Sequence, residues 1–292
     1  MRTFRLGEFD GRLLVDAKEG QRVSVCLPAR NEEATVGPIV QAIRRDLVDQ
    51  LGLVDEVLVV DDHSSDATAA IAASAGARVV DASRVLREYG QGHGKGEALW
   101  KSLYEANGDL IVWCDADIRG FDSRFVVGLL GPLLMHPELQ FVKGYYERPM
   151  QGPLGGGRVT ELVARPLLSM FFPELARVVQ PLAGEYAIRR SLAERLAFIV
   201  GYGVDIGVLI DAFRLGGMGA LSQIDLGVRQ HRNRSLDQLG PQALAVIQAI
   251  LDRAGVSSSA AATLLRPGMA PVTVTVAERC PLVEVQSYRA SA

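Results

Sequence analysis

The sequence predicts an α/β protein built on a mostly parallel sheet flanked by helices, and two patterns carry that prediction. Short, fully apolar β-rich runs alternate with amphipathic stretches through the first half, as they do when a sheet is covered on both faces. Acids and amides follow directly after those runs, and parallel sheets place ligands at the carboxyl ends of their strands. At 292 residues and 48% hydrophobic content the chain can bury a substantial core.

In chain order, "VSVCL" (23 to 27) is the first central strand and leads into a helix from about Glu33 to Gln50. "EVLVV" (56 to 60) is the second strand, followed by a helix from about Asp66 to Ala75 and a third strand in "ARVVD". A helix from Gly96 to Ala106 precedes "DLIVWC", which ends on Asp115-Ala116-Asp117. The second half is less regular. A Gly-rich segment (151 to 167) opens a helix that stops near Pro173, "GYGVDIGVLIDAF" (201 to 213) follows, and "ALSQIDLGV" (220 to 228) is a strand delivering "RQHRNR". A last helix is expected from Pro241 to Ala254, then a linker, "SSSAAA", and a β-rich tail, "PVTVTVAERCPLVEV". The divisions this implies are an N-terminal extension (1–22), a first ligand-binding half (23–119), a second half (120–255) and the tail (256–292).

Composition excludes several classes. No apolar stretch approaches the length of a membrane span, and "MRTFRLGEFDGR" lacks a signal peptide's apolar segment, so a cytoplasmic protein is expected. Cys26, Cys114 and Cys280 lie far apart and read as reduced thiols, not a disulfide frame or zinc site. A net charge of -3 and a pI near 5.9 argue against a general nucleic-acid binder.

Three strand ends feed one crevice: Arg30-Asn31-Glu32, Asp61-Asp62 and Asp115-Ala116-Asp117. A turn could converge Asp115 and Asp117 on Mg2+ or Mn2+, which favour carboxylate oxygen with substrate phosphates completing the shell. Asp61 and Asp62 also fit an Asx turn with Ser64, Ser65 and Asp66 as helix caps, and both readings can hold at once. In "GQGHGKGEAL" (90 to 99) the glycines let backbone approach a phosphate or sugar, with Lys95 as a point charge upon it. The loop is neither a P-loop nor a dinucleotide fingerprint. "GGGR", ending at Arg158, is a candidate anion site where a helix begins. His63, His93 and His136 read as structural. His231 differs, because Arg229, Arg232 and Arg234 crowd around it, and guanidinium groups match phosphate oxygens.

"VSVCLPARNEEATV", "EVLVVDDHSSDATAAIA", "GHGKGEAL" and "GDLIVWCDAD", in that order, resemble the nucleotide-sugar half of GT-A glycosyltransferases over residues 23 to 117. "GGGRVTEL", "QPLAGEYAIRR", "YGVDIG" and "VRQHRNR" extend the resemblance to about residue 255. They narrow it to the retaining glucosyl-3-phosphoglycerate synthase family and its mannosyl-3-phosphoglycerate relatives. The resemblance implies a GT-A fold with a Rossmann-like sheet and a helical acceptor half, glucose transfer from UDP-glucose to the 2-hydroxyl of 3-phosphoglycerate, a divalent metal and a homodimer. Donor contacts would come from Pro28, Ala29, Arg30, Glu32, Asp62, Ser64, Lys95, Asp115, Ala116, Arg229 and Arg234. Asp117 and His231 would hold the metal, while Gly157, Arg158, Thr160 and Asn233 would take the acceptor. Asp205, Asp117 and Lys95 would be catalytic. The family's usual "YGVEIG" carries Glu where this chain has Asp205.

No carboxylate stands out as a nucleophile of the kind that retaining hydrolases use, and the resemblance implies front-face attack by the acceptor hydroxyl, assisted by the leaving phosphate. GDP-mannose as donor remains open, as does an inverting GT-A enzyme acting on a polyprenyl phosphate. That second alternative lacks its usual Q-x-x-R-W stretch. A sugar-phosphate nucleotidyltransferase would need an N-terminal Gly-rich pyrophosphate loop, and "PARNEEATV" is not one. The alternating "VTVTV" (272 to 276) is an edge that tends to be paired, in keeping with a dimer.

Overall fold

In a computed structural model, residues 1–147, 157–228, 235–256 and 261–289 are described. The strands are β1 (Arg2–Arg5), β2 (Val23–Ala29), β3 (Glu56–Asp61), β4 (Arg78–Asp81), β5 (Leu110–Trp113), β6 (Phe141–Glu147), β7 (Tyr186–Arg189), β8 (Phe198–Ile199) and β9 (Leu221–Val228). Eight of them form one sheet in the order β1-β9-β6-β7-β5-β2-β3-β4. Every pairing is parallel except those of β7, which runs antiparallel to both β5 and β6. The sheet is therefore the mostly parallel one that its apolar strands imply.

The helices before β9 are α1 (Gly11–Ala17), α2 (Val36–Ile43), α3 (Thr68–Ser74), α4 (Lys95–Glu105), α5 (Arg124–Met135), α6 (Arg165–Phe171), α7 (Arg190–Ala193) and α8 (Val204–Gly216). Two cores cover the faces of the sheet. On one, Val25, Leu27, Val57 and Val112 pack against Ile39 and Val40 of α2 (Val36–Ile43) and against α5 (Arg124–Met135). On the other, Cys26, Leu58, Ile111 and Trp113 meet α4 (Lys95–Glu105) and α8 (Val204–Gly216). Cys26, Cys114 and Cys280 are not joined in a disulfide, and Cys26 and Cys114 are buried.

Helix boundaries differ from expectation where sequence signals compete. The helix expected from Glu33 begins at Val36, because Glu32 and Glu33 instead donate backbone N–H groups to Thr68 and Asp66. That helix continues as a π-helical stretch, Arg44–Gln50. The last helix, Leu236–Arg253, starts five residues before Pro241, on a capping box between Ser235 and Gln238. Pro241 cannot donate to the Asp237 carbonyl four residues earlier. Arg266 Nη1 does so instead, at 3.0 Å, which lets the helix run through the proline. Helix α5 and strand β6 were not anticipated. α5 sits in nearly continuous apolar sequence where no period shows, and in β6 Lys143 and Gly144 interrupt the apolar run, although most residues of both are buried.

The tail folds back on the body. A hairpin pairs Ala261–Leu264 with Val272–Thr275, and Glu278–Arg279 pairs antiparallel with β8. Arg279 then reaches Glu97 of α4 at 2.6 and 3.1 Å, while Trp100 Nε1 donates to the Cys280 carbonyl at 2.9 Å. Leu282 and Val285 are fully buried. The end of the chain thus clamps the helix whose first residue is Lys95.

Candidate active site

A cleft of about 590 Å³ opens at the carboxyl ends of β2, β3 and β5. Pro28, Ala29, Arg30 and Glu32 enter it from β2, Asp62 from β3, Lys95 from the N-terminus of α4, and Asp115, Ala116 and Asp117 from β5. Gly157, Arg158 and Thr160 form another part of the wall, and Asp205 of α8 stands in it as well. The strand ends thus converge as the sequence requires.

Local chemistry fixes each group. Asn31, held at φ 56°, donates its N–H to Ser64 Oγ (3.0 Å) and accepts from the Ser65 N–H (2.8 Å), tying the turn after β2 to the turn after β3. Ser64 does not line the cleft; its N–H donates to Asp61 Oδ2 at 3.3 Å, so at Asp61 the Asx-turn reading holds. Asp62 accepts the Gly94 N–H at 2.8 Å, with Arg30 4.0 Å away. Gly94 needs φ 110°, which only glycine adopts without strain.

Lys95 is the hinge of the site. Its ammonium lies 2.8 Å from Asp115 and 3.0 Å from Asp205. Burial opposes its charge, yet the two carboxylates hold its pKa well above the ordinary lysine value. Asp205 is pushed up by burial, with Lys95 and Lys143 opposing the shift. Its Oδ1 is buried with no hydrogen-bond partner among the described residues. Beneath lies Lys143, whose ammonium sits 4.3 Å over the Tyr186 ring and whose pKa burial pushes down to about 8. A Cβ on Gly184 would collide with the Asp115 carboxylate, so glycine there lets the second half of the chain approach the β5 end.

Burial, followed by the charge of Asp117, raises the Glu32 pKa. Five carboxylates face three cations around the cleft among the described residues. An anionic ligand cannot settle there without further positive charge. The hard carboxylate oxygens of this end suit Mg2+ or Mn2+, and Asp115 is engaged by Lys95. His231, Arg229, Asn233 and Arg234 lie outside the described residues. Cleft residues that sequence reasoning missed include His93, Leu182, Tyr202, Leu239 and Gln242. His93 lies two residues before Lys95, and Leu182 and Tyr202 stand inside the motifs "QPLAGEYAIRR" and "YGVDIG"; Leu239 and Gln242 carried no signal.

A Glycosyl transferase family 2 model matches residues 24–122. Glucosyl-3-phosphoglycerate synthase of Petrotoga mobilis is 46% identical over 260 residues, covering 86% of this chain and 80% of that protein. Its Mycobacterium tuberculosis counterpart is 49% identical over 251 residues, covering 83% and 76%. The chain belongs to the glucosyl-3-phosphoglycerate synthase family. The crystal structure of the M. tuberculosis member with Mn2+, UDP-glucose and phosphoglyceric acid superposes with a TM-score of 0.89 at 44% identity, over 97% of this chain and 98% of that one. Its complex with Mn2+, UDP and glucosyl-3-phosphoglycerate gives 0.87 at 43% identity, over 97% and 99%. The family assignment and the mostly parallel sheet agree with the expectations drawn from the motifs.

Proposed function

We propose that this protein transfers glucose, with retention, from UDP-glucose to the 2-hydroxyl of 3-phosphoglycerate, using Mg2+ or Mn2+. The observation that carries this reading is the joining, in one cleft, of three acidic strand ends with the Gly157 to Thr160 segment, in a chain so close to synthases of that name.

Pro28, Ala29, Arg30, Glu32 and Asp62 line the path of the uridine and ribose, with Ser64 shaping the turn behind them. The divalent ion, held by Asp117 and His231, neutralises charge that develops on the departing diphosphate. Lys95 adds a fixed cation at the same place, and its two carboxylate partners keep it charged and immobile. Arg229 and Arg234 supply further charge for the phosphates. Asp205 engages Lys95 through Oδ2 at the sugar end of the cleft and holds that ammonium in place. A carboxylate so engaged does not attack the sugar, so the acceptor hydroxyl approaches from the face that the diphosphate leaves. Arg158 and Thr160, with Gly157 and Asn233, hold the acceptor's phosphate and carboxylate.

An α-configured product from UDP-glucose, seen by NMR, supports transfer with retention, and a β-anomer rejects it. A higher kcat/KM with GDP-mannose than with UDP-glucose moves the activity to the mannosyl branch. The hairpin strands Ala261–Leu264 and Val272–Thr275 pair only with each other among the described residues. This outer edge is the proposed homodimer contact, and light scattering at the 31.5 kDa monomer mass rejects it. Among the described residues no helix is long and apolar enough to cross a membrane. The proposed setting is the cytoplasm.

A further inference from the structure

On the β3 side of the cleft, three potential ligand atoms face one another. Asp62 Oδ1 lies 2.9 Å from His63 Nδ1 and 3.9 Å from His93 Nδ1, and the two imidazole nitrogens are 3.2 Å apart. A tetrahedral ion with bonds of about 2.0–2.1 Å, as zinc makes to nitrogen and carboxylate oxygen, holds neighbouring ligand atoms about 3.3–3.4 Å apart. The three separations bracket that value.

The supporting contacts point the same way. Asp62 is oriented by the Gly94 N–H on Oδ2, which leaves Oδ1 turned to the histidines. Support of this kind is typical of metal-ligating carboxylates. His63 sits at φ 60°, a left-handed conformation that costs a residue bearing a Cβ, and there its ring centroid comes within 4.2 Å of that of His93. Asp62 is buried, His63 partly so, and His93 is open to solvent, which leaves a path of entry.

We infer that Asp62, His63 and His93 form a second metal site, distinct from the Asp117 position, that takes Zn2+ or a similar borderline ion. Two imidazoles with one carboxylate select zinc, cobalt or nickel, whereas Mg2+ and Mn2+ prefer oxygen donors. Three protein ligands leave a fourth position for water or a ligand atom. Because His93 belongs to the glycine-rich loop and His63 to the turn after β3, a bound ion pins these two loops together on one side of the cleft.

The test uses the full-length protein in saturating Mg2+, titrated with Co2+ by visible absorption and with Zn2+ by calorimetry. The expected result is one equivalent bound with the intense spectrum of tetrahedral cobalt, and slower amide exchange in residues 90–94. Affinity should fall by about a hundredfold or more in His93→Gln and in His63→Asn, since even losing a supporting contact typically costs tenfold to a hundredfold. Asparagine is chosen because it tolerates the left-handed backbone. Asp117→Asn should bind as the wild type does. The inference is overturned if the wild type takes up no Zn2+ beyond the Mg2+ position, if both histidine variants bind it unchanged, or if Asp117→Asn alone abolishes it.

Discussion

The two walls of the cleft are built differently. On the donor side, Arg30, Asp62 and Asp115 each stand just past a buried parallel strand, and the turns behind them are cross-linked by Asn31, Ser64 and Gly94. On the acceptor side, Thr160 and Asp205 ride on helical segments, and Arg158 is exposed where one begins. Strand ends in one sheet share a register and hold their side chains relative to one another, whereas helices set on the sheet can shift independently. On the proposed function, the nucleotide, common to many transferases, meets the rigid wall and the acceptor the adjustable one. Lys95 joins the two, with one carboxylate partner from each.

The largest effect is therefore expected at that joint. Lys95→Ala leaves Asp115 and Asp205 facing each other without their cation, and breaking a buried pair costs roughly 3–5 kcal/mol. Chemical denaturation should show that loss, with turnover reduced at least a thousandfold. Unchanged stability would mean that the walls do not depend on Lys95. Next in size, Asp117→Asn should lower kcat by roughly 10²–10³ while the melting temperature stays within a few degrees, since Asp117 is only partly buried. Full activity of the wild type in excess chelator would remove the metal from the account.

A third test separates the walls. Charge-assisted hydrogen bonds are worth roughly 1.5–3 kcal/mol each, so Arg158→Ala should lower kcat/KM for 3-phosphoglycerate about tenfold to a hundredfold. Affinity for UDP-glucose should hardly change. Calorimetry showing the reverse would place this segment on the donor wall.

The last test is a pH slope beneath the site. Lys143 titrates near 8 in the folded state, against about 10.4 when unfolded. Between those values the unfolded state holds more protons, so this group makes stability rise with pH. Burial of Cys26, whose pKa is pushed up to about 12, works in the opposite direction. The measurable quantity is thus the difference between Lys143→Met and the wild type. The variant's advantage should be greatest near pH 7 and shrink towards pH 10.5, and a constant difference would mean that burial does not lower the Lys143 pKa.

The donor wall was legible in the sequence because its logic is local. An apolar run followed by acids gives both the strand and the position of its carboxylates, as in "LIVWCDAD", and β2, β3, β4 and β5 all lie where the runs put them. The acceptor wall was legible mainly through family motifs, since nothing local shows that Asp205 faces Lys95 across 110 residues. Leu239 and Gln242 were missed for the same reason: they reach the cleft through the tertiary packing of one helix. The tail's grip on α4 through Arg279 and Glu97 is likewise a contact over 182 residues, invisible to periodicity. His63 and His93 looked structural one at a time, and their convergence with Asp62 appears only once the two loops meet.

The central claim is that one cleft joins a nucleotide-sugar wall to a phosphoglycerate wall, so that the chemistry needs both. The most direct measurement is UDP release from UDP-glucose with Mg2+ or Mn2+, with and without 3-phosphoglycerate, and with mass spectrometry of the product. The account predicts slow release without the acceptor, release stimulated by orders of magnitude with it, and a product one hexose heavier than 3-phosphoglycerate. Release that is indifferent to 3-phosphoglycerate, or hexose transferred to another acceptor in its presence, would contradict it.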